Sequence, residues 1–208
     1  MVLVVFRGHS FRVGKRYGEY KLCAPSEVNM HLNVIKDTIK RFERATRMTA
    51  EVLMLTYDNA YLYRLNEVFE GRHGELRIQS QNSDQLETAK ECARWAMFKG
   101  NAPLVILTRF DIAFKRDFLL PTDVITATHA HGMYLNDMMF SIPRSMLWDF
   151  VGACEKIEAR DRSLHMVYKF LSAPVHVIDP RSFDCNPAIE ENDLYGLVSR
   201  AHAYNKNQ

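Results

Sequence analysis

The sequence has 208 residues, of which 47% are hydrophobic and 25% are charged, and its formal net charge is +2. This composition is typical of one globular domain, and the small charge excludes a nucleic-acid-binding protein of the usual strongly basic kind. The apolar run at residues 2–6 is too short for a membrane span or a signal segment. We therefore expect a cytoplasmic protein without a membrane span.

The predicted elements of the first half alternate between strands and helices. The apolar run at 2–6 predicts a buried first strand. A helix is predicted over 26–47, because Ser26 is a good N-cap and apolar residues follow at spacings of three and four. A later helix is predicted to be capped by Ser83 and ended by Gly100. The remaining predictions are strands at 51–56, 75–79 and 103–108, a short helix around 60–70 and that later helix over 84–99.

The second half of the chain departs from this alternation. Its predicted elements are strands at 123–128, 138–142 and 175–178, with helices near 145–158, 161–172 and 188–201. No internal repeat, low-complexity tract or linker divides the chain. The sequence therefore predicts a single α/β domain over residues 1–208, with a central, mostly parallel mixed β-sheet flanked by helices.

The four cysteines are Cys23, Cys92, Cys154 and Cys185. None belongs to a C-x-x-C pair, and no histidine lies at zinc-finger spacing from them. We therefore expect buried thiols in a reducing compartment, although four cysteines would also suffice for two disulfides.

Polar residues follow each of the first four predicted strands. In an open α/β sheet the carboxyl ends of parallel strands form one edge, and ligands bind there. This edge offers guanidiniums, carboxylates, amides and an aromatic ring, which suit an anionic ligand with a flat base. The segments concerned are Phe6-Arg7-Gly8-His9, Thr56-Tyr57-Asp58-Asn59, Ser80-Gln81-Asn82 and Arg109-Phe110-Asp111.

Two common phosphate-binding motifs are missing from this edge. The first strand is not followed by G-x-G-x-x-G, and the chain has no G-x-x-x-x-G-K-S/T. Only Gly8 lies in the first turn, so neither familiar loop places phosphate on a helix N-terminus. A divalent cation held by one or two carboxylates is the usual alternative source of positive charge for a diphosphate.

The segment from Leu104 to Phe118 resembles the metal-binding region of glycosyltransferases of the A-type fold. In that family a buried strand runs into an Asp-x-Asp motif, followed by a short apolar stretch and a second acidic residue. Here Arg109-Phe110-Asp111 occupies the place of the motif. Asp111 matches the second Asp, which usually binds the metal, whereas Arg109 stands where the first Asp would be.

The stretches VVFRGHSFR and LTRFDIAF are also similar to small glycosyltransferase domains encoded by large chlorella viruses. The resemblance implies a Rossmann-like A-type fold, Mn²⁺ or Mg²⁺ as cofactor and a UDP-sugar as donor. It implies a glycan or glycoprotein as acceptor, such as a capsid protein glycan in the host cytoplasm. Residues 1–115 would form the nucleotide-binding half and residues 116–208 the acceptor-side half.

Roles for individual residues follow from the resemblance. Asp111 is expected to bind the metal, and Asp137 to orient or deprotonate the acceptor hydroxyl. For Arg94 the alternative is a solvated position on its helix. No additional basic cluster awaits a sugar carboxylate, which favours a neutral sugar such as glucose or rhamnose. Nucleotide contacts are expected from Phe6, Arg7, Gly8, Arg12, Tyr57, Asp58, Gln81, Arg94, Arg109 and Phe110.

Two other functions fit the same pattern. A sugar nucleotidyltransferase shares the alternating sheet and the metal, but it normally has a Gly-rich basic loop after the first strand, which FRGHSFRVGKR matches poorly. A non-catalytic module that binds nucleotide sugars would keep the fold, and the presence of Asp111 and Asp137 argues against it.

Overall fold

The computed structural model describes residues 1–13, 21–80, 83–115, 117–131, 134–135, 138–158, 163–179 and 195–197. The helices are α1 (Val28–Thr46), α2 (Gln85–Phe98) and α3 (Leu147–Glu158), with 3₁₀ helices at Pro25–Glu27, Leu62–Val68, Arg144–Met146 and Leu164–Phe170. The strands are β1 (Val2–Gly8), β2 (Arg12–Val13), β3 (Lys21–Leu22), β4 (Ala50–Tyr57), β5 (Gly74–Gln79), β6 (Leu104–Arg109), β7 (Ile112–Phe114), β8 (Thr126–His131), β9 (Tyr134–Leu135), β10 (Met139–Pro143), β11 (His176–Asp179) and β12 (Tyr195–Leu197).

A central sheet contains eight of the described strands, seven of them in the order β11-β8-β10-β6-β1-β4-β5, with β9 paired to β8. Strand β10 runs antiparallel to both of its neighbours and β9 runs antiparallel to β8, while the other pairs of this sheet are parallel. In the centre, Val4 of β1 lies opposite Val52 of β4 and Ile106 of β6. The predicted single α/β domain with a mostly parallel mixed sheet is confirmed.

The central strands are apolar on both faces because helices cover both faces. Val4 belongs to one core cluster together with Ile39 of α1, and Val5 belongs to a second cluster together with Ala93 of α2. Successive strand residues point to opposite sides of a sheet. Burial of both faces removes a large apolar area from water, which is the main stabilising term of such a fold. The carboxyl edge of the sheet is thereby held in place.

The N-terminus of α2 differs from the prediction. Asp84, and not Ser83, caps the helix, because its Oδ1 accepts a hydrogen bond from the backbone N–H of Glu87 at 2.8 Å. The backbone carbonyl of Ser83 instead accepts a hydrogen bond from the hydroxyl of Tyr57 at 2.6 Å. A carboxylate at this position also interacts favourably with the helix dipole. The first turn of α2 is therefore tied to the end of β4.

The N-terminus of α1 also differs slightly from the prediction. The α-helix begins at Val28, and residues 25–27 form a 3₁₀ turn in which Glu27 accepts a hydrogen bond from the backbone N–H of Ala24 at 2.9 Å. Ser26 is thus part of the turn and does not cap the helix. The predicted helices at 60–70 and 161–172 correspond to the 3₁₀ helices Leu62–Val68 and Leu164–Phe170.

The predicted helix over 188–201 is wrong where the structure describes it. Residues 195–197 form β12, which pairs antiparallel with β7, and Gly196 lies opposite Ala113. The rest of the predicted helix lies outside the described residues. The sequence did not reveal β7 either, because a strand of three residues is too short to show a periodic pattern.

Three of the four cysteines lie in the described part of the chain, and Cys23, Cys92 and Cys154 are free and buried there, as predicted. Burial raises the pKa of the Cys92 thiol to about 12, so this group stays protonated and inert. Cys185 lies outside the described residues. Among the helices that the structure describes, none is both long and apolar enough to span a membrane.

Candidate functional site

A cavity of about 250 Å³ opens at the carboxyl edge of the sheet. It lies between the ends of β1, β4 and β6 and the first turn of α2, where open α/β sheets bind their ligands. Six of the predicted site residues line it: Arg7, Gly8, Arg12, Tyr57, Arg109 and Asp111. The other lining residues are His9, Ser83, Asp84, Gln85 and Thr88.

Asp111, in the turn between β6 and β7, is bound by two arginines. Arg109 donates from Nε to Oδ1 at 2.8 Å and from Nη2 to Oδ2 at 2.7 Å. Arg12 donates to Oδ2 from Nη2 at 3.0 Å and from Nε at 3.3 Å. The side chains of Asp111, Arg109 and Arg12 are 3%, 8% and 11% exposed. Such buried, charge-assisted pairs are much stronger than surface ion pairs.

Arg7 brings a third guanidinium to the same face of the sheet. It lies opposite Arg109 on the neighbouring parallel strand, which places the two backbones about 4.8 Å apart. Arg7 is only 2% exposed. The lining thus contains three arginines and two aspartates, Asp84 and Asp111. A buried excess of positive charge favours an anionic ligand.

The loop after β1 is held in one conformation. Gly8 has φ of 93°, a value that residues with a side chain rarely adopt, which is why a glycine stands at this turn. The Oγ of Ser10 accepts hydrogen bonds from Thr56 Oγ1 at 3.0 Å and from Asn59 Nδ2 at 3.1 Å. The next residue, Phe11, is buried. The two loop residues that reach the cavity, His9 and Arg12, therefore have fixed positions.

His9 and Tyr57 form a stacked pair of rings at one side of the cavity. Their ring centroids are 4.0 Å apart and their planes differ by 23°. Burial lowers the pKa of His9, and the charge of Arg12 lowers it further against the opposing effect of Asp111. Burial also raises the pKa of Tyr57. Both rings are therefore neutral at neutral pH and offer a flat apolar surface beside the cationic groups.

Four residues that were predicted to contact the nucleotide do not line the cavity. Phe6 and Phe110 are buried on the opposite face of the sheet, with their ring centroids 5.4 Å apart, because Phe6 alternates with Arg7 along β1. Asp58 is exposed outside the cavity. Arg94 is 43% exposed and pairs with Glu155 of α3.

The position of Arg94 follows from helix geometry. Thr88 of α2 still lines the cavity, but Arg94 lies six residues further along the helix, which is about 9 Å along its axis. The solvated alternative for Arg94 is therefore the one that the structure shows.

Two predicted site residues, Gln81 and Asp137, lie outside the described residues. The chain next to Asp137 is nevertheless placed at the site, since the carbonyl oxygen of Met138 accepts a hydrogen bond from the backbone N–H of Arg109 at 3.2 Å. The role predicted for Asp137 stays a prediction.

Sequence reasoning missed His9 and the first turn of α2. The sequence did contain a signal for the first turn of α2. This helix begins shortly after β5 ends, so its first turn must lie at the carboxyl edge of the sheet. Ser83, Asp84, Gln85 and Thr88 were thus within reach of this argument. His9 belonged to the segment after β1, but its stacking on Tyr57 depends on the conformation of that loop, which the sequence does not show.

The described residues at the cavity do not fit a divalent metal site. The described part of the chain contains no group of three or more His, Cys, Asp or Glu side chains that could hold a metal ion. Both oxygens of Asp111 accept hydrogen bonds from guanidiniums, and Asp84 caps α2. A cation at Asp111 would have to displace Arg12 and Arg109 from the carboxylate. The predicted metal role of Asp111 is therefore not supported by this donor set and stays untested.

No family model matches the sequence, and no curated protein matches it significantly. Solved structures do match. CTP:phosphocholine cytidylyltransferase (LicC) from Streptococcus pneumoniae aligns with a TM-score of 0.56 and 8% identity, over 99% of this chain and 96% of that one. An active-site mutant of LgtC aligns with a TM-score of 0.51 and 11% identity, over 95% of this chain and 86% of that one.

The glycosyltransferase GlyE from Streptococcus pneumoniae TIGR4 also matches, with a TM-score of 0.47 and 10% identity over 86% of this chain, which spans 45% of the length of GlyE. At these identities the likeness concerns the fold alone. The structural neighbours include glycosyltransferases and nucleotidyltransferases. The chain shares with LicC and LgtC the fold of a single α/β domain with a mostly parallel mixed sheet.

Proposed function

We propose that this chain is a glycosyltransferase that binds a UDP-sugar in the cavity and transfers a neutral hexose, such as glucose or rhamnose, to a glycan or glycoprotein. The observation that carries the proposal is the lining of the cavity, where three arginines lie beside a stacked pair of rings at the carboxyl edge of the sheet. A nucleotide sugar combines an anionic diphosphate with a flat base, and these two kinds of surface complement it.

The arginines provide the chemistry that this transfer needs. When the bond between the anomeric carbon and the diphosphate breaks, negative charge grows on the leaving diphosphate. Arg7 is positioned before the reaction by burial, and Arg12 and Arg109 are positioned by their hydrogen bonds to Asp111. Fixed cationic donors of this kind stabilise developing charge with little reorganisation. In the proposal the arginines therefore bind the donor and assist departure of the nucleotide.

The acceptor side of the proposal rests on Asp137. Its role is supported by its neighbour in the chain, Met138, whose carbonyl oxygen accepts a hydrogen bond from the backbone N–H of Arg109. A carboxylate there would orient the acceptor hydroxyl and take its proton as the new glycosidic bond forms. The expected result of Asp137→Asn is loss of transfer with nearly unchanged affinity for the donor.

A sugar nucleotidyltransferase is the second candidate, and the fold shared with CTP:phosphocholine cytidylyltransferase favours it, although the loop after β1 matches the usual Gly-rich basic loop poorly. Arg7 and Arg12 flank this loop and both line the cavity. In that reaction the site would bind a nucleoside triphosphate and a sugar phosphate and release pyrophosphate. The arginines would then contact the departing pyrophosphate in place of a departing nucleoside diphosphate.

One pair of assays separates these candidates. The purified chain is incubated with UDP-glucose or UDP-rhamnose and an oligosaccharide mixture, and release of UDP is measured. In parallel it is incubated with CTP or UTP and a sugar 1-phosphate, and release of pyrophosphate is measured. Release of UDP that depends on the acceptor supports the glycosyltransferase. Release of pyrophosphate alone supports the nucleotidyltransferase, and melting temperatures unaffected by any of these nucleotides would contradict both.

A further inference from the structure

We infer that this site holds the diphosphate of its nucleotide with guanidinium groups in place of a divalent cation. The inference rests on the proposed function, because it assumes that the cavity binds a nucleotide diphosphate. It goes beyond that function by naming the groups that neutralise the phosphates and by giving Asp111 a different role.

A metal at this site would need the carboxylate of Asp111. Asp111 accepts four hydrogen bonds from Arg12 and Arg109, and its side chain is almost fully buried between them. A divalent cation could reach this carboxylate only by breaking those bonds and separating buried opposite charges, which is costly. It would also lie close to two guanidiniums, which would repel it.

A metal would also be assisted by a second carboxylate beside Asp111. Arg109 occupies the place two residues before Asp111, so the strand end supplies a cation where a second carboxylate would assist a metal. The other aspartate of the lining, Asp84, accepts a hydrogen bond at Oδ1 from the backbone N–H of Glu87 in the first turn of α2. Both carboxylates of the lining are thus already hydrogen-bonded, and the described residues contain no group of three or more His, Cys, Asp or Glu side chains that could hold one ion.

The cavity already carries the positive charge that a diphosphate needs. Arg7, Arg12 and Arg109 supply the positive charge that a metal would otherwise supply, and the planar guanidinium matches two phosphate oxygens at once. Arginine stays protonated at every physiological pH. Asp111 is then a positioning residue that orients Arg12 and Arg109 through hydrogen bonds and does not contact the ligand's phosphates itself.

The decisive experiment is a calorimetric titration of the unaltered full chain with UDP, CDP and inorganic pyrophosphate, in EDTA and again in excess Mn²⁺. We expect binding in EDTA, with an affinity that Mn²⁺ leaves unchanged or weakens because the cation competes for the phosphates. Binding that requires Mn²⁺ would overturn the inference and leave the proposed function standing. Absence of binding for all three probes under both conditions would overturn both.

Two variants test the role of each group. Asp111→Asn keeps the size of the side chain and removes its charge, so the variant should still bind UDP in EDTA, with an affinity that Mn²⁺ does not increase. If Asp111 were a metal ligand, the same change would weaken Mn²⁺-dependent binding. Arg109→Gln should weaken binding in EDTA by about tenfold to a hundredfold, the loss expected for hydrogen bonds to a charged group.

The matched control is Arg94→Gln. Arg94 pairs with Glu155 outside the cavity, so its removal lowers the net charge of the chain by the same amount as Arg109→Gln. Affinity should be unchanged in this variant, and an equal loss in both would show that only overall charge matters, which contradicts the inference. Melting temperatures establish that each variant is folded, and the comparison of EDTA with Mn²⁺ on the unaltered chain needs no variant.

Discussion

Arg109 and Asp111 face each other across the turn that follows β6, and the guanidinium of the first donates to both carboxylate oxygens of the second, at 2.8 and 2.7 Å. The pair is buried, and it lies where the strand end reaches the cavity. Because Arg12 joins the same carboxylate from the loop after β1, one side chain connects two segments of the site. Loss of Asp111 would therefore both destabilise this turn and leave a larger positive charge in the cavity.

The first prediction concerns the stability of this cluster. Asp111→Ala leaves two nearly buried guanidiniums without their carboxylate, so the free energy of unfolding should fall by about 3 kcal/mol, as measured by urea denaturation. Inorganic pyrophosphate should raise the melting temperature of the variant more than that of the unaltered chain, because it replaces the missing negative charge. In the control Asp117→Ala, an exposed partner of Arg41 and Arg44 is lost, and stability should hardly change.

The second prediction concerns pH. Burial and Arg12 lower the pKa of His9 from its ordinary value of 6.5, so the imidazole is neutral in the free protein at neutral pH. An anionic ligand favours the charged form and raises this pKa, so binding takes up a proton and affinity increases as the pH falls below about 6.5. The stability of the free protein changes in the opposite direction. Because burial disfavours the charged imidazole of His9, the free energy of unfolding falls as the pH falls over the same range.

The test of the pH prediction compares the unaltered chain with His9→Gln. UDP affinity is measured by calorimetry on both sides of the ordinary histidine pKa. The variant retains the titration of UDP itself, so the difference between the two slopes belongs to His9. Equal slopes would contradict the prediction.

The third prediction separates the two functions of Tyr57. Tyr57→Phe keeps the ring stacked on His9 and removes the hydrogen bond to the carbonyl of Ser83, which should cost about 1 kcal/mol of stability. Tyr57→Leu also removes the stacked ring and should weaken UDP binding further. Calorimetric affinities in the order unaltered chain, Phe variant, Leu variant are expected; equal affinities for the two variants would show that the ring does not contribute.

The fourth prediction concerns two glycines, one with no room for a Cβ atom and one with open space around it. A Cβ at Gly74 would overlap the ring of Phe69, so Gly74→Ala should destabilise the chain at the start of β5, by about 1–3 kcal/mol as for other overpacked sites. Gly152 lies within α3, and a Cβ there meets no atom within 4 Å. Gly152→Ala should therefore raise stability by about 1 kcal/mol. Thermal denaturation of both variants measures the difference, and a shift of the same sign in both would contradict the prediction.

The sequence predicted the sheet and the edge at which the cavity lies, because buried apolar strands and capped helices are local features that a single chain displays. Arg7, Tyr57 and Asp111 could be placed at this edge since each ends or follows a strand. Which side of the sheet a residue faces was harder to predict. Phe6 and Arg7 are adjacent, and only the observed alternation assigns Arg7 to the cavity and Phe6 to the core.

The contacts of Asp111 could not be predicted, because they depend on residues brought together by folding. Arg12 is distant from Asp111 in the chain and reaches it only through the turn at Gly8 and the anchored Ser10. The motif resemblance predicted a metal role for Asp111, which stays a prediction, but it could not predict the contacts of Asp111 with Arg12 and Arg109. The pairing of β12 with β7 was missed for the same reason, since both strands are short and find each other only in the folded chain.

The reversed direction of β10 has a consequence for how such a protein can change. Strand β8 ends at the edge that carries the cavity and β10 begins there, and the short strand β9 between them pairs with β8. The hydrogen bond between Met138 and Arg109 secures the point of return. A segment with both ends fixed to a rigid edge can gain, lose or exchange residues without altering the sheet. The connection between β8 and β10 could thus diverge, in evolution or in the laboratory, while the cationic cavity stays intact.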